Sequence, residues 1–154
     1  MSTVDNVFLS VEEPPTVVAG WLTDVLGFEQ VAGQAVGEEV GLRGRAKADD
    51  GWLGVVVQRN GYVSPEPEAD EVQAIDAYGI EIGIRYRPEA MLHREARSIF
   101  DKLVEARPEV PMLLTENLEI LVAAHLPGVG TQYFDPGTTL DAPDVDTWRP
   151  WVRM

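Results

Sequence analysis

The chain contains no cysteine, and only two lysines and two histidines occur among its 154 residues. Without cysteine it has no disulfide framework, no thiolate nucleophile and no Cys-bound zinc. No apolar run approaches the roughly 18–20 residues that a membrane-spanning helix needs. The opening residues, MSTVDNVFLS, lack the basic-then-apolar order of a secretory signal, so a cytoplasmic location is expected. Also missing are a Walker-A loop, a Gly-x-Gly-x-x-Gly after a strand and a Gly-x-Ser-x-Gly elbow. The segment PGVGTQYF (127–134) holds a Gly-x-Gly but does not open a helix.

What is present is ordinary globular composition, 45% apolar and 25% charged, in a length that suits one domain with a sizeable core. The charge is less ordinary. Twelve basic residues face 26 acidic ones, giving −14, a balance that repels phosphate backbones and anionic membrane surfaces. Nucleic acid and membrane are thus excluded as expected partners. A cationic protein partner, or solubility alone, accounts for such acidity.

Along the chain, VFLSV (7–11) alternates Val7, Leu9 and Val11 and predicts a strand. After EEPP, the stripe Val18, Trp21, Leu22, Val25 and Leu26 predicts a helix with Trp21 in the core, Thr16 as N-cap and Gly27 ending it. EEVGLRGRAK and WLGVVVQRN read as strands joined by ADDG (48–51), a turn signal. YGIEIGIRYR (78–87) alternates Ile80, Ile82, Ile84 and Tyr86 and is the clearest strand. From Pro88 a helix carries Leu92, Ala96, Ile99, Phe100 and Leu103 on one stripe and ends before Pro108. VPMLLT and LEILVAAHL give two more strands, and the remainder reads as a turn-rich tail.

The predicted architecture is α+β: a two-layer sandwich of a mostly antiparallel sheet with two helices on one face. A βαββ rhythm in residues 1–62 and again in 78–127 suggests a pseudo-repeat, with an acidic connector at 63–77 and a tail at 128–154, all within one domain. The far face of the sheet is expected to carry Arg43, Arg45, Glu81, Arg85 and Arg87.

Candidate chemistry is sparse, and neither a catalytic residue nor a cofactor is expected. His93 follows stripe residue Leu92 and reads as a solvated or edge histidine rather than a ligand or base. His125 ends an apolar run with no second histidine near it in sequence. DAPDVD groups Asp141, Asp144 and Asp146 but lacks the glycine and distal glutamate of an EF-hand, so no metal is expected there. The connector SPEPEADEVQAID carries Glu66, Glu68, Asp70, Glu71 and Asp76 with no Lys or Arg, which suits a solvated link or a negative rim met by a basic partner. Trp148 and Trp151, in TWRPW, suit either a cover over the sheet or a contact surface.

Two resemblances bear on function. WLTDVLGFEQV (21–31) resembles the helix and following strand of the vicinal-oxygen-chelate, or glyoxalase-like, family, and the paired βαββ rhythm suits that family's repeat. The family's metal ligands do not carry over: VFLSV offers none, and Glu81 and Glu119, on predicted strands, have no histidine partner in the family's spacing. More broadly, the chain resembles small acidic immunity proteins of actinobacterial polymorphic-toxin systems through its start DNVFLSVEEPPTVVAGWLTDVLG, its YGIEIGIRYR strand and the long helix and strand pair that follow. That resemblance implies a non-enzymatic inhibitor that neutralises a basic toxin domain by electrostatic steering and occlusion. Its expected contacts are Glu66, Glu68, Asp70, Glu71 and Asp76, then Asp141, Asp144, Asp146 and Trp148. The alternative expectation is a glyoxalase-like small-molecule binder or metal-independent enzyme with its ligand in the concavity of the sheet.

Overall fold

The computed structural model describes residues 3–31, 38–47, 51–63, 66–87 and 89–154. Its strands are β1 (Val4–Leu9), β2 (Glu29–Gln30), β3 (Val40–Arg45), β4 (Trp52–Arg59), β5 (Ile80–Arg85), β6 (Met112–Glu116), β7 (Ile120–Leu126) and β8 (Gly130–Tyr133). Helix α1 (Pro15–Leu26) joins β1 to β2, α2 (Glu89–Ala106) joins β5 to β6, and the single turn α3 (Val145–Trp148) lies near the C-terminus. The strands form one sheet in the order β2-β3-β4-β5-β1-β6-β7-β8, antiparallel at every pairing. Among the described residues no helix is long and apolar enough to cross a membrane.

The α+β expectation holds, with both long helices on one face. Their apolar stripes, Val18, Ala19 and Leu22 from α1 and Leu92, Ala96, Ile99, Phe100 and Leu103 from α2, share a buried core with Val7, Leu9, Val55, Ile82 and Leu114 of the sheet. Pro14 caps α1, two residues before the expected cap Thr16, and Pro15 begins it, because proline's fixed φ suits a first helical turn whose N–H groups lack partners anyway. Gly27 ends the helix at φ 72°, the left-handed conformation anticipated from the sequence. Trp21 is only partly buried, and the Arg107 guanidinium lies 3.7 Å from its ring centroid. Pro88 and residues 48–50 of the ADDG turn lie outside the described residues.

Two strands escaped the periodicity. The two-residue β2 is too short to show alternation, and β8 lies in GVGTQYF, read above as tail. The first strand runs over Val4–Leu9 rather than 7–11. As a central strand it is buried on both faces, and its polar Asp5 and Asn6 hide that in the sequence. The sheet order also lacks a twofold relation between the halves. Exchanging them would match the β4–β5 neighbours with β8 and β1, yet the strand beside β1 is β6.

The far face is divided. Over β1, β6 and β7 a second core joins Phe8, Leu113, Leu121 and Ala124 to Ala74 and Ile75 of the connector, to Tyr78 just after it and to Leu140, Trp148 and Val152 of the C-terminal segment. Backbone and side chain both stitch this cover down. The Ala74 N–H donates to the Leu140 carbonyl at 2.8 Å, and Asn60 donates to the carbonyls of Tyr78 (2.7 Å) and Ile75 (3.2 Å). The Tyr78 hydroxyl accepts from the Arg153 N–H at 3.0 Å, and the Trp148 indole N–H donates to the Asp141 carbonyl at 3.2 Å. Part of the acidic connector is therefore a structural layer. Trp148 is 0% exposed, so its candidacy as a contact residue is corrected: its large apolar ring is worth most inside this second core.

Truncating Trp148 to Ala is expected to lower unfolding free energy by about 3–5 kcal/mol, whereas Trp52→Ala, at an exposed position, should cost less than about 1 kcal/mol. Urea denaturation of both variants checks this.

Candidate functional site

The second core stops at β1, and among the described residues the far face of β3, β4 and β5 is left open as a cleft of about 580 Å³. The sequence hollows it. Gly41, Gly54 and Gly83 sit on this face of adjacent strands, in register with Val56, Arg43 and Val56 respectively. A Cβ built on Gly54 would meet nothing within 4 Å, and one on Gly83 would meet Val4 at 3.6 Å. Neighbouring atoms therefore do not force glycine at these two positions. Glycine weakens a strand interior and permits close approach of another molecule to the backbone.

Polar groups converge on the floor of this cleft. Glu81 of β5 is 1% exposed, and its carboxylate accepts hydrogen bonds from Asn6 Nδ2 at 2.7 Å and Gln58 Nε2 at 2.6 Å. The Tyr62 hydroxyl is a third partner. Burial raises the Glu81 pKa, and these three bonds offset only part of that effect. Beside it the Asn6 Oδ1 is buried without a hydrogen-bond partner, as is Oγ1 of Thr115, paired with Asn6 across β1 and β6. Buried polar atoms without a partner are costly.

A strained turn lines the cleft, and an aromatic stack stands on the same open face. Asn117 (φ 54°) and Leu118 (φ 59°) both take left-handed backbone between β6 and β7. A leucine there costs on the order of 1–3 kcal/mol, and its side chain both lines the cleft and packs against the second core. On the same open face, Trp52 is 44% exposed between the guanidinium groups of Arg43 and Arg45, whose Cζ atoms lie 4.6 and 4.7 Å from its ring centroid. Arg43 is also bonded to Glu29 at 3.0 Å. Arg85 lines the cleft and is exposed. The exposed tryptophan is thus Trp52, which the sequence marks only as part of a strand. Its place opposite Arg45 and next to Arg43 becomes visible only from strand register.

The other candidates are dispersed. Glu66, Glu68, Asp70 and Glu71 are exposed on the connector. Asp76 instead accepts from the Gln73 N–H at 2.9 Å in a local turn of the connector, and Asp141 accepts from Gln73 Nε2 at 2.7 Å, which ties the connector to the C-terminal segment. Asp144 accepts from the N–H and hydroxyl of Thr139, and those bonds hold its carboxyl below the usual range. Asp146 is exposed. Glu119 lies in the β6–β7 turn and not on a strand, and Arg87 follows β5.

The two histidines differ from each other. His125 is buried, its Nε2–H donating to the Pro108 carbonyl at 2.8 Å and its Nδ1 accepting from the Thr131 hydroxyl at 2.8 Å, a structural role. His93 is not simply a solvated edge residue: its Nδ1 lies 2.7 Å from Oδ2 of buried Asp5, on the helix face of the sheet. Burial pushes the Asp5 carboxyl up to about 6, with the His93 bond offsetting part of the effect. Burial alone would lower the His93 pKa, but the bond to Asp5 and the surrounding carboxylates outweigh it and raise it. No protein-family model, curated protein or solved structure matches this chain.

Because Glu81 is held above its ordinary 4.5 by burial, the folded state keeps its proton where the unfolded state has lost it. Its contribution to stability is greatest below the ordinary value and declines as pH rises through the raised one. Glu81→Gln is expected to flatten this decline, measured as the difference in urea midpoint between pH 4 and pH 7. An unaltered pH profile in the variant would contradict the assignment.

Proposed function

We propose that this chain is a non-enzymatic protein-binding inhibitor of the immunity type, docking on a basic domain through the open half of its sheet. The observation that carries this reading is the exposed Trp52, held between Arg43 and Arg45 on the cleft face, with exposed Tyr62 at the cleft itself. Tryptophan, tyrosine and arginine are the residue types that dominate interface energetics, and an aromatic ring pre-stacked by its neighbours loses little freedom on binding. Below them the cleft offers Glu81 to a cationic side chain. A hydrogen bond to a charged group is worth about 1.5–3 kcal/mol, and an arriving cation favours the ionised form that burial disfavours.

Long-range charge supplies the approach. The net charge of −14, with Glu66, Glu68, Asp70 and Glu71 exposed on a connector whose far end is buried against the sheet, speeds the approach of a cationic domain. Steering and anchoring thereby fall on different residues, and kinetics separates them. With a basic domain recovered from source-cell lysate at low salt and then purified, changing the four connector carboxylates to glutamine should slow association by about tenfold or more. Trp52→Ala should leave association nearly unchanged and speed dissociation roughly 30-fold, the factor that about 2 kcal/mol corresponds to. Association insensitive to both salt and the four changes would sink the reading.

A second reading, a glyoxalase-like binder of a small polar molecule, is favoured by one specific feature. The cleft volume, about 580 Å³, falls within the roughly 300–1,000 Å³ of small-molecule sites, and both halves of the chain line it, with Arg85 at its edge. Under this reading, amide NMR shifts produced by amine- and carboxylate-bearing fragments cluster at Asn6, Gln58, Glu81 and Arg85, and Glu81→Gln weakens binding about tenfold or more. Fragments that leave those amides unmoved would discard it.

A further inference from the structure

On the helix face of the sheet, away from the cleft, four ionisable side chains meet where α2 starts. Asp5 of β1 and Glu116 of β6 are directly paired across the two strands. The first turns of α2 lay His93 over them, with Nδ1 2.7 Å from Asp5 Oδ2 and 3.5 Å from Glu116 Oε2. One ligand atom from each of the three lies within 4.8 Å of the others. Glu89, one helical turn before His93, places Oε1 3.4 Å from the opposite ring nitrogen, Nε2.

We propose that Asp5, His93 and Glu116 bind a divalent metal ion of the zinc or manganese class. Three features carry this. The first is charge: with Asp5 and Glu116 against a single imidazole, the three ligands keep a net negative charge even when His93 is protonated, and Asp5 is only 1% exposed. Buried charge calls for a counter-charge. The second is an open valence: Asp5 Oδ1 is buried and has no hydrogen-bond partner, although Oδ2 of the same group is bonded. A carboxylate with one oxygen committed and the other bare is short of a donor or a cation.

The third is geometry. Ligand atoms about 2.0–2.2 Å from a tetrahedral metal stand about 3.3–3.5 Å from one another. The His93–Glu116 separation of 3.5 Å already meets that spacing, and the His93–Asp5 separation of 2.7 Å reaches it by a shift of under about 1 Å. With Nδ1 toward the metal, Nε2–H faces Glu89, reproducing the carboxylate–histidine–metal arrangement in which an outer carboxylate orients the ring. One imidazole and two carboxylates suit zinc, manganese or ferrous iron better than calcium or magnesium, which favour all-oxygen shells. Three protein ligands leave at least one position for water. The site joins α2 to β1 and β6, so an ion there clamps helix to sheet.

The test uses the full chain after chelator treatment, titrated with zinc chloride and with manganese chloride by calorimetry. A single equivalent is expected to bind, and His93→Gln and Glu116→Gln should each weaken it at least tenfold, with circular dichroism confirming that both variants fold. Because the chain has only two histidines, ¹⁵N-histidine NMR with zinc gives a readout in the parent protein that needs no variant: the His93 ring nitrogens shift and those of His125 do not. Weak binding of several equivalents to surface carboxylates with unmoved His93 nitrogens, or the absence of binding, would overturn the proposal.

Discussion

Insertion of β1 between β5 and β6 is the constraint on which the rest of the structure depends. Its two antiparallel ladders, Val4–Leu9 against Ile80–Arg85 and Asp5–Leu9 against Met112–Glu116, join strands β2–β5 to strands β6–β8 in one sheet. The helices cover one face of β1 and the second core meets the other, so its side chains alternate between two buried environments. Val7 and Leu9 enter the helix-side core, while Phe8 enters the core under the connector. The same alternation sends consecutive polar residues to opposite sites: Asp5 to the cluster beneath α2 and Asn6 to the floor of the cleft. A one-residue slip of β1 would exchange the two.

The second constraint is the unequal cover of the far face. An eight-stranded sheet with helices on one side exposes its other side unless something lies over it. Here Ile75 of the connector, the adjoining Tyr78, and Leu140 and Trp148 of the C-terminal segment supply enough apolar surface to bury β1, β6 and β7. Nothing comparable reaches β3 to β5 among the described residues, and those strands carry glycine and polar side chains on that face. The boundary between covered and open halves is where the strained Asn117–Leu118 turn sits, with Leu118 belonging to both. Strain retained at such a boundary fits a wall whose position matters. The acidic connector accordingly has two parts: exposed carboxylates at its start, and from Ala74 onward a buried segment that acts as a layer of the fold.

Much of the fold was legible in the sequence. The stripes of α1 and α2 and the alternation of Ile80, Ile82 and Ile84 are periodic signals of one-sided burial; the structure buries the α2 stripe and the three isoleucines, but of the α1 stripe only Val18 and Leu22, with Trp21 and Leu26 partly buried and Val25 exposed. Where burial is two-sided or an element is very short the signal fades, as in β1, β2 and β8. The site was less legible. Glu81, Arg43, Arg45 and Arg85 were assignable to the far face from alternation alone, but Trp52 was not singled out, and Trp148 was weighed as a contact although it is core. His93 looked like a flank residue because its partners stand 88 positions earlier and 23 later in the chain.

The sequence by itself determined the α+β class, the helix stripes, the left-handed stop at Gly27 and the excess negative charge, because each depends on local spacing or on composition. Strand order, the open and covered halves, the cleft around Glu81 and the meeting of Asp5, His93 and Glu116 were decided only by the tertiary structure. They depend on which distant strands pair and in what register, and that choice belongs to the free energy of the whole sheet rather than to any one segment.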